Sequence, residues 1–220
     1  LGEGTLVLDA ANTYSGVTAI YAGILQAAAG QADAFGSARS IAFSAGSAGR
    51  LQLNGNSTTI YALSTDAAAP GTPVVENGAA DNAVLTVDST AAVAYAGTLQ
   101  DGAGGGTLGL VKAGTGAMTL SGANSYSGGT VIDAGSLQFT SAGAAPADGL
   151  ITIHSAGTLL ATGAYANAGA WLAGGKIAAS SSGVLAMTAN NNAGADFTGY
   201  DNLYLGATGS YSFGNYALTP

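Results

Sequence analysis

The chain's one histidine, His154, stands in the segment ITIHSAG, and twelve acidic residues are spread through the 220 positions. Histidine can act as a general base, but a nucleophile activated in this way needs the imidazole within hydrogen-bond reach and a carboxylate to orient it. No GxSxG or GDSG segment accompanies His154. Alternation sets it beside Thr152, opposite Ile151 and Ile153, as a solvated strand histidine. A pair of carboxylates would serve glycoside cleavage, one as acid and the other as base or nucleophile. The acids Asp9, Asp33, Asp66, Asp101, Asp133, Asp148, Asp196 and Asp201 are scattered singly. The tightest local group is Glu76, Asp81 and Asp88 in VVENGAADNAVLTVDS, which reads as solvated loop acids. The segment GGGTLG, 104–109, satisfies GxGxxG formally, yet no strand–helix–strand unit with a following acid supports a dinucleotide site. Neither an EF-hand nor a repeated Asp–Gly calcium pattern is present. The expectation is a non-enzymatic chain with no catalytic, cofactor-binding or metal residues.

Composition narrows the partners. Net charge is −8, with only Arg39, Arg50, Lys112 and Lys176 as fixed cations, too few to neutralise a run of phosphates. Nucleic acid and anionic lipid are excluded as expected partners. There is no cysteine, hence no disulfide framework and no thiolate metal site. No apolar run approaches the length needed to span a bilayer, and no secretory leader pattern opens the chain. Hydrophobic residues make up 48% and charged residues 7%, so polarity must come from Ser, Thr, Asn and Gln.

The elements that would position these side chains are short strands. Runs such as TLVLD, VTAIY, SIAFS, AVLTVDS, GTVIDAG and LITIHSAG alternate in character and are separated by Gly, Asn and Ser; no helical stripe survives three turns. Residues 2–26 align without a gap on residues 114–138, with 14 identities in 25, where this composition would give about three by chance. Within the copies, Thr130, Ile132 and Ala134 match Thr18, Ile20 and Ala22, while Val131 and Asp133 face the dissimilar Ala19 and Tyr21. Identity with period two marks one packed face. Ile20, Ile132, Leu8, Leu120, Leu25 and Leu137 are therefore expected in the core, and Asn12, Asn124, Gly16 and Gly128 at turns. Small inward residues and frequent glycine favour a stacked parallel coil over a sandwich or propeller. At three strands per rung, the strands give about five or six rungs or more, roughly 25 to 30 Å of rod at ~4.8 Å per strand.

The stretch LVKAGTGAMTLSGANSYSGGTVIDAGSLQ, 110–138, resembles the autotransporter-associated β-strand repeat of Gram-negative passenger domains. Its K-x-G-x-G, L-x-L-S-G, N-x-Y-x-G-G-T and A-G-x-L-Q elements follow in order. The first copy departs from it, with Ala10 and Val17 where the second has Gly122 and Gly129. The resemblance implies a right-handed parallel β-helix exported through the periplasm, displayed at the cell surface or outside the cell, and belonging to a larger precursor. It implies adhesion, self-association or a stalk role, with a second copy or a host or cell-surface glycan or protein as partner. The alternatives are a carbohydrate-active β-helix enzyme and a fibre subunit. Residues 1–220 are read as one β-helix segment, with 197–220 as a C-terminal cap or boundary. Tyr200, Tyr204, Tyr211 and Tyr216 are its candidate interaction surface.

Overall fold

The computed structural model describes residues 2–36, 39–141, 143–161, 175–178, 181–187 and 211–212. All regular elements among them are strands, and every strand pairing is parallel. The chain winds into a β-solenoid of about seven turns.

Three stacks form its walls. The first runs β1 (Thr5–Leu8), β3 (Ile24–Ala27), β5 (Arg50–Gln52), β8 (Val74–Glu76) and β11 (Thr98–Gln100). The second begins with β6 (Thr58–Ile60), β9 (Ala83–Asp88) and β12 (Leu108–Ala113). It continues through β14 (Thr130–Phe139), β15 (Ile151–Ala161), β16 (Val184–Met187) and β17 (Tyr211–Ser212). The third holds β2 (Thr18–Ile20), β4 (Ser40–Phe43) and β7 (Ala62–Thr65). In addition, β10 (Val93–Tyr95) pairs with β13 (Ala117–Leu120), which pairs with the second half of β14. Thus β14 and β15 run straight across a corner that earlier turns bend between two strands.

The core follows from period-two alternation repeated in register. On the first wall Leu25, Leu51, Val75 and Leu99 stack inward, each essentially inaccessible. On the second wall the inward columns are Leu85–Leu110–Thr130–Ile151 and Val87–Lys112–Ile132–Ile153. Met118, Leu137 and Leu159 form another. Phe43 and Tyr95 meet inside with ring centroids 5.7 Å apart. Each buried aliphatic side chain contributes about 1.5–3 kcal/mol, and Phe35, Phe43, Tyr95, Tyr126 and Phe139 add buried aromatic rings to the core.

Ile20, Ile132, Leu120, Leu25 and Leu137 are buried, whereas Leu8 is only partly covered and packs against the edge of the core. Leu8 lies in β1, the terminal strand, with no turn stacked beyond it among the described residues. Tyr200, Tyr204 and Tyr216 fall outside the described residues; Tyr211 opens β17, whose backbone alone is described.

Candidate functional site

The two repeat copies build the same corner. In the second, the Tyr126 hydroxyl and Thr130 Oγ1 are 2.6 Å apart; in the first, Tyr14 and Thr18 make the equivalent bond at 2.9 Å. Asn124 Nδ2 donates to Ala144 O at 2.5 Å, and Asn12 Nδ2 to Ala34 O at 2.7 Å. These asparagines are inter-turn clamps rather than left-handed corner residues. Among the described residues the positive φ values outside glycine belong to Arg39 and Asn54, and Asn54 forms the tight turn with Gly55. The amide side chain suits a clamp because it offers a donor and an acceptor at once, and Asn124 Oδ1 also accepts from Leu99 N at 2.8 Å. Gly16 and Gly128 lie at the bend before the next strand. Tyr126 is fully buried, and burial pushes its phenol well above the ordinary range, partly offset by the Thr130 bond.

Lys112 was not legible as a core residue. It occupies an inward column and is inaccessible. Its ammonium donates to the carbonyls of Ala113 (2.5 Å), Gly114 (2.9 Å) and Ala134 (3.2 Å). Those acceptors converge where two turns bend together, so the cation replaces solvation with backbone dipoles. Burial lowers its pKa, and the Asp88 carboxylate acts in the opposite direction.

The acidic group of the sequence does not assemble. Asp81 and Asp88 are exposed, in a loop and at a strand end. Glu76 is no loop acid: it is buried on the outer side of β8, where it pairs with Arg50 and accepts from Gln52 Nε2 (2.8 Å) and Gln100 Nε2 (2.7 Å). Its partners come from the turns on either side in the Gln52–Glu76–Gln100 register, a proximity invisible in a linear reading. Asp101 binds Leu108 N, Ser127 N and Ser127 Oγ, another fastening between turns.

His154 is exposed, as its strand phase requires, and its Nδ1 lies 2.5 Å from Asp133 Oδ1 on the preceding turn. The Ile132–Ile153 register carries Asp133 opposite His154, and the register slips before Ala134 pairs with Ala156. Among the described residues no serine or threonine hydroxyl bonds to the imidazole, and no group of three or more potential metal ligands is present. A groove of about 620 Å³ lies where the third stack ends beside β10. Its lining includes Tyr61, Ser64, Thr65, Asp88, Thr90 and Ala94, and Tyr61 is 49% exposed. Among the described residues no helix is long and apolar enough to cross a membrane, which says nothing of a β-barrel.

The geometry thus offers interlocked corners, a core of stacked inward side chains and side faces that carry serine and threonine hydroxyls. The duplicated corner is decisive, because a family model described as passenger-associated-transport-repeat matches residues 1–27 and 110–139. Two segments of the chain are thus similar to the passenger-associated-transport repeat. Both structural copies lie within those matches, and the likeness to an autotransporter passenger read from the motif elements holds. The chain is also similar to the adhesin BmaC autotransporter of Brucella suis biovar 1 (strain 1330), with 39% identity over 138 residues. That alignment covers 62% of this chain and 4% of the relative's length. No solved structure matches the chain.

Proposed function

We propose that this repeat-bearing solenoid is a non-enzymatic adhesive or stalk segment of an autotransporter-type protein displayed at the Gram-negative cell surface. The observation that carries this reading is the 39% identity to a relative named as an adhesin. The geometry supports it: inward positions are committed to stacking, the clamps are spent between turns, and recognition falls to the side faces. Ligands that suit these faces are cell-surface glycans or proteins met through hydroxyls and exposed aromatic rings. The groove beside Tyr61 is one such surface, since a tyrosine ring offers an amphipathic platform at low entropic cost.

The test uses beads coated with the chain and applied to cultured epithelial cells. Retention above uncoated beads, reduced in a Tyr61→Ala, Thr90→Ala variant with unchanged circular dichroism, is the expected result. No retention above uncoated beads removes adhesion and leaves the stalk role.

A further inference from the structure

The groove beside Tyr61 exists because one wall of the solenoid is interrupted. Among the described residues β7 pairs with β4 alone and β10 with β13 alone, so no strand ladder joins β7 to β10. Thr65 Oγ1, accepting from Ala96 N at 3.1 Å, bridges the gap at one end. The groove left outside it holds about 620 Å³, within the range of about 300–1,000 Å³ in which small-molecule sites fall.

Its shape is fixed before any ligand arrives. Leu63 and Tyr95 are buried, so alternation turns Ala62, Ser64 and Ala94 outward as a floor of small side chains. The far lip is the bend at 89–92. Ser89 Oγ donates to Ala91 O at 2.8 Å and accepts from Ala91 N at 3.2 Å. The following turn backs this bend so closely that a Cβ on Gly114 would collide with Ser89 O and one on Gly116 with Ala91 O. A lip held in this way loses little conformational freedom on binding.

The polar groups left over share a chemistry. Ser89 and Thr65 spend their hydroxyls within the wall, whereas the Tyr61 hydroxyl, Ser64 Oγ, Thr90 Oγ1 and the Asp88 carboxylate have no hydrogen-bond partner among the described residues. The half-exposed Tyr61 ring offers a face to C–H groups. A carboxylate accepts from two donors at once, and each hydroxyl can give or take a bond. A pyranose ring answers this set, with its apolar C–H faces and its rim of hydroxyls. An acidic sugar does not. Arg39, next to Ser40, is committed to Asp33 and to the carbonyls of Gly36 and Thr59. Lys112 is buried on the carbonyls of Ala113, Gly114 and Ala134. Neither is free to meet a ligand acid, so a carboxylate brought beside Asp88 meets repulsion.

We propose that this groove binds a pyranoside that carries no acid, resting on the adhesive reading for the cell surface that supplies it. The ring lies against Tyr61. Its donors, two hydroxyls or the ammonium of an amino sugar, reach Asp88, and its remaining hydroxyls bond Ser64 and Thr90.

The test titrates the isotope-labelled chain with cellotriose, lactose, a chitosan trimer and trigalacturonate, each at millimolar concentration, and reads amide shifts by NMR. At least one of the first three should shift amides within 61–65 and 88–94, with the chitosan arm separating ammonium from hydroxyl as the donor to Asp88; trigalacturonate should not. Tyr61→Ala should weaken binding about tenfold. Ala94→Phe, which fills the floor from outside, should abolish it with an unchanged circular dichroism spectrum. Asp88→Asn should weaken binding of the acid-free sugars and admit trigalacturonate, a gain that a merely structural role for Asp88 does not produce. The proposal is overturned when no sugar shifts these amides, when the shifts fall elsewhere, or when trigalacturonate binds the native chain as well as the others. Coated beads held by cells without any sugar binding would make the partner a protein and overturn the sugar site while adhesion stands. Sugar binding without bead retention supports the site and removes adhesion.

Discussion

Replacing Tyr126 by Phe deletes one oxygen from a place that water does not reach. The ring is inaccessible and Thr130 is 1% exposed, so Thr130 Oγ1 loses its 2.6 Å partner and gains none. A buried hydroxyl left unsatisfied costs about 1–3 kcal/mol. The same replacement at Tyr14 removes the equivalent bond where the ring is 39% exposed, so water takes the vacated position and the cost stays within about 0.5 kcal/mol. One chain therefore contains both the experiment and its control. The difference, about 0.5–3 kcal/mol in favour of Tyr14→Phe, is read from urea titrations followed by circular dichroism. Amide exchange across Thr130–Phe139 serves as a local readout, because stacked turns can open piecemeal. Equal losses for the two variants would refute the argument, since burial is the chief difference between the sites.

Ile132→Asp places an unpaired carboxylate in an inward column and should cost several kcal/mol, whereas Asp133→Ile on the outer face should shift the melting temperature little; unchanged melting of Ile132→Asp contradicts the strand phase. Glu76→Ala leaves Arg50, Gln52 and Gln100 without their shared acceptor and should cost about 1–3 kcal/mol, discounted because Arg50 is partly exposed, with Glu76→Gln milder; chemical denaturation ranks the two. Tyr95 and Tyr126 have phenols raised by burial, so the unfolded chain releases their protons first, and stability should hold below pH ~10 and fall above it. Absorbance at high pH should show Tyr95 and Tyr126 ionising only with this unfolding step, and their ionisation in the folded chain ahead of it contradicts the burial.

The strand phases were legible because alternation and duplication reinforced one another: Thr18, Ile20 and Ala22 repeat where Val131 and Asp133 do not. The same period placed Ile151 and Ile153 inside and His154 outside. What escaped the sequence depends on which turn lies against which. Lys112 reads as a surface cation until its inward column and three carbonyl acceptors are seen. Glu76 reads as a loop acid until Arg50 and two glutamines arrive from 24 and 26 residues away. Tyr126 follows a turn asparagine and reads as part of the loop, yet it fills the corner. These are through-space pairings between turns, and the repeat itself was their one linear signal: Asn and Tyr recur at the same spacing in both copies. The groove beside Tyr61 left no such trace, because it arises where the third stack stops.

The backbone hydrogen bonds that pair strands of neighbouring turns point along the rod, since each strand lies across the axis and bonds to its neighbours in the stack. A force applied along the rod therefore loads these bonds in tension and opens them one turn at a time, instead of shearing a whole sheet at once. The core columns of the first wall are spaced 19 to 26 residues apart, from Leu6 to Leu25, Leu51, Val75 and Leu99. Each turn that peels away would pay out roughly 60 to 95 Å of extended chain. Stretched in this direction, the rod should yield in a series of such steps, as a shock absorber rather than a rigid strut.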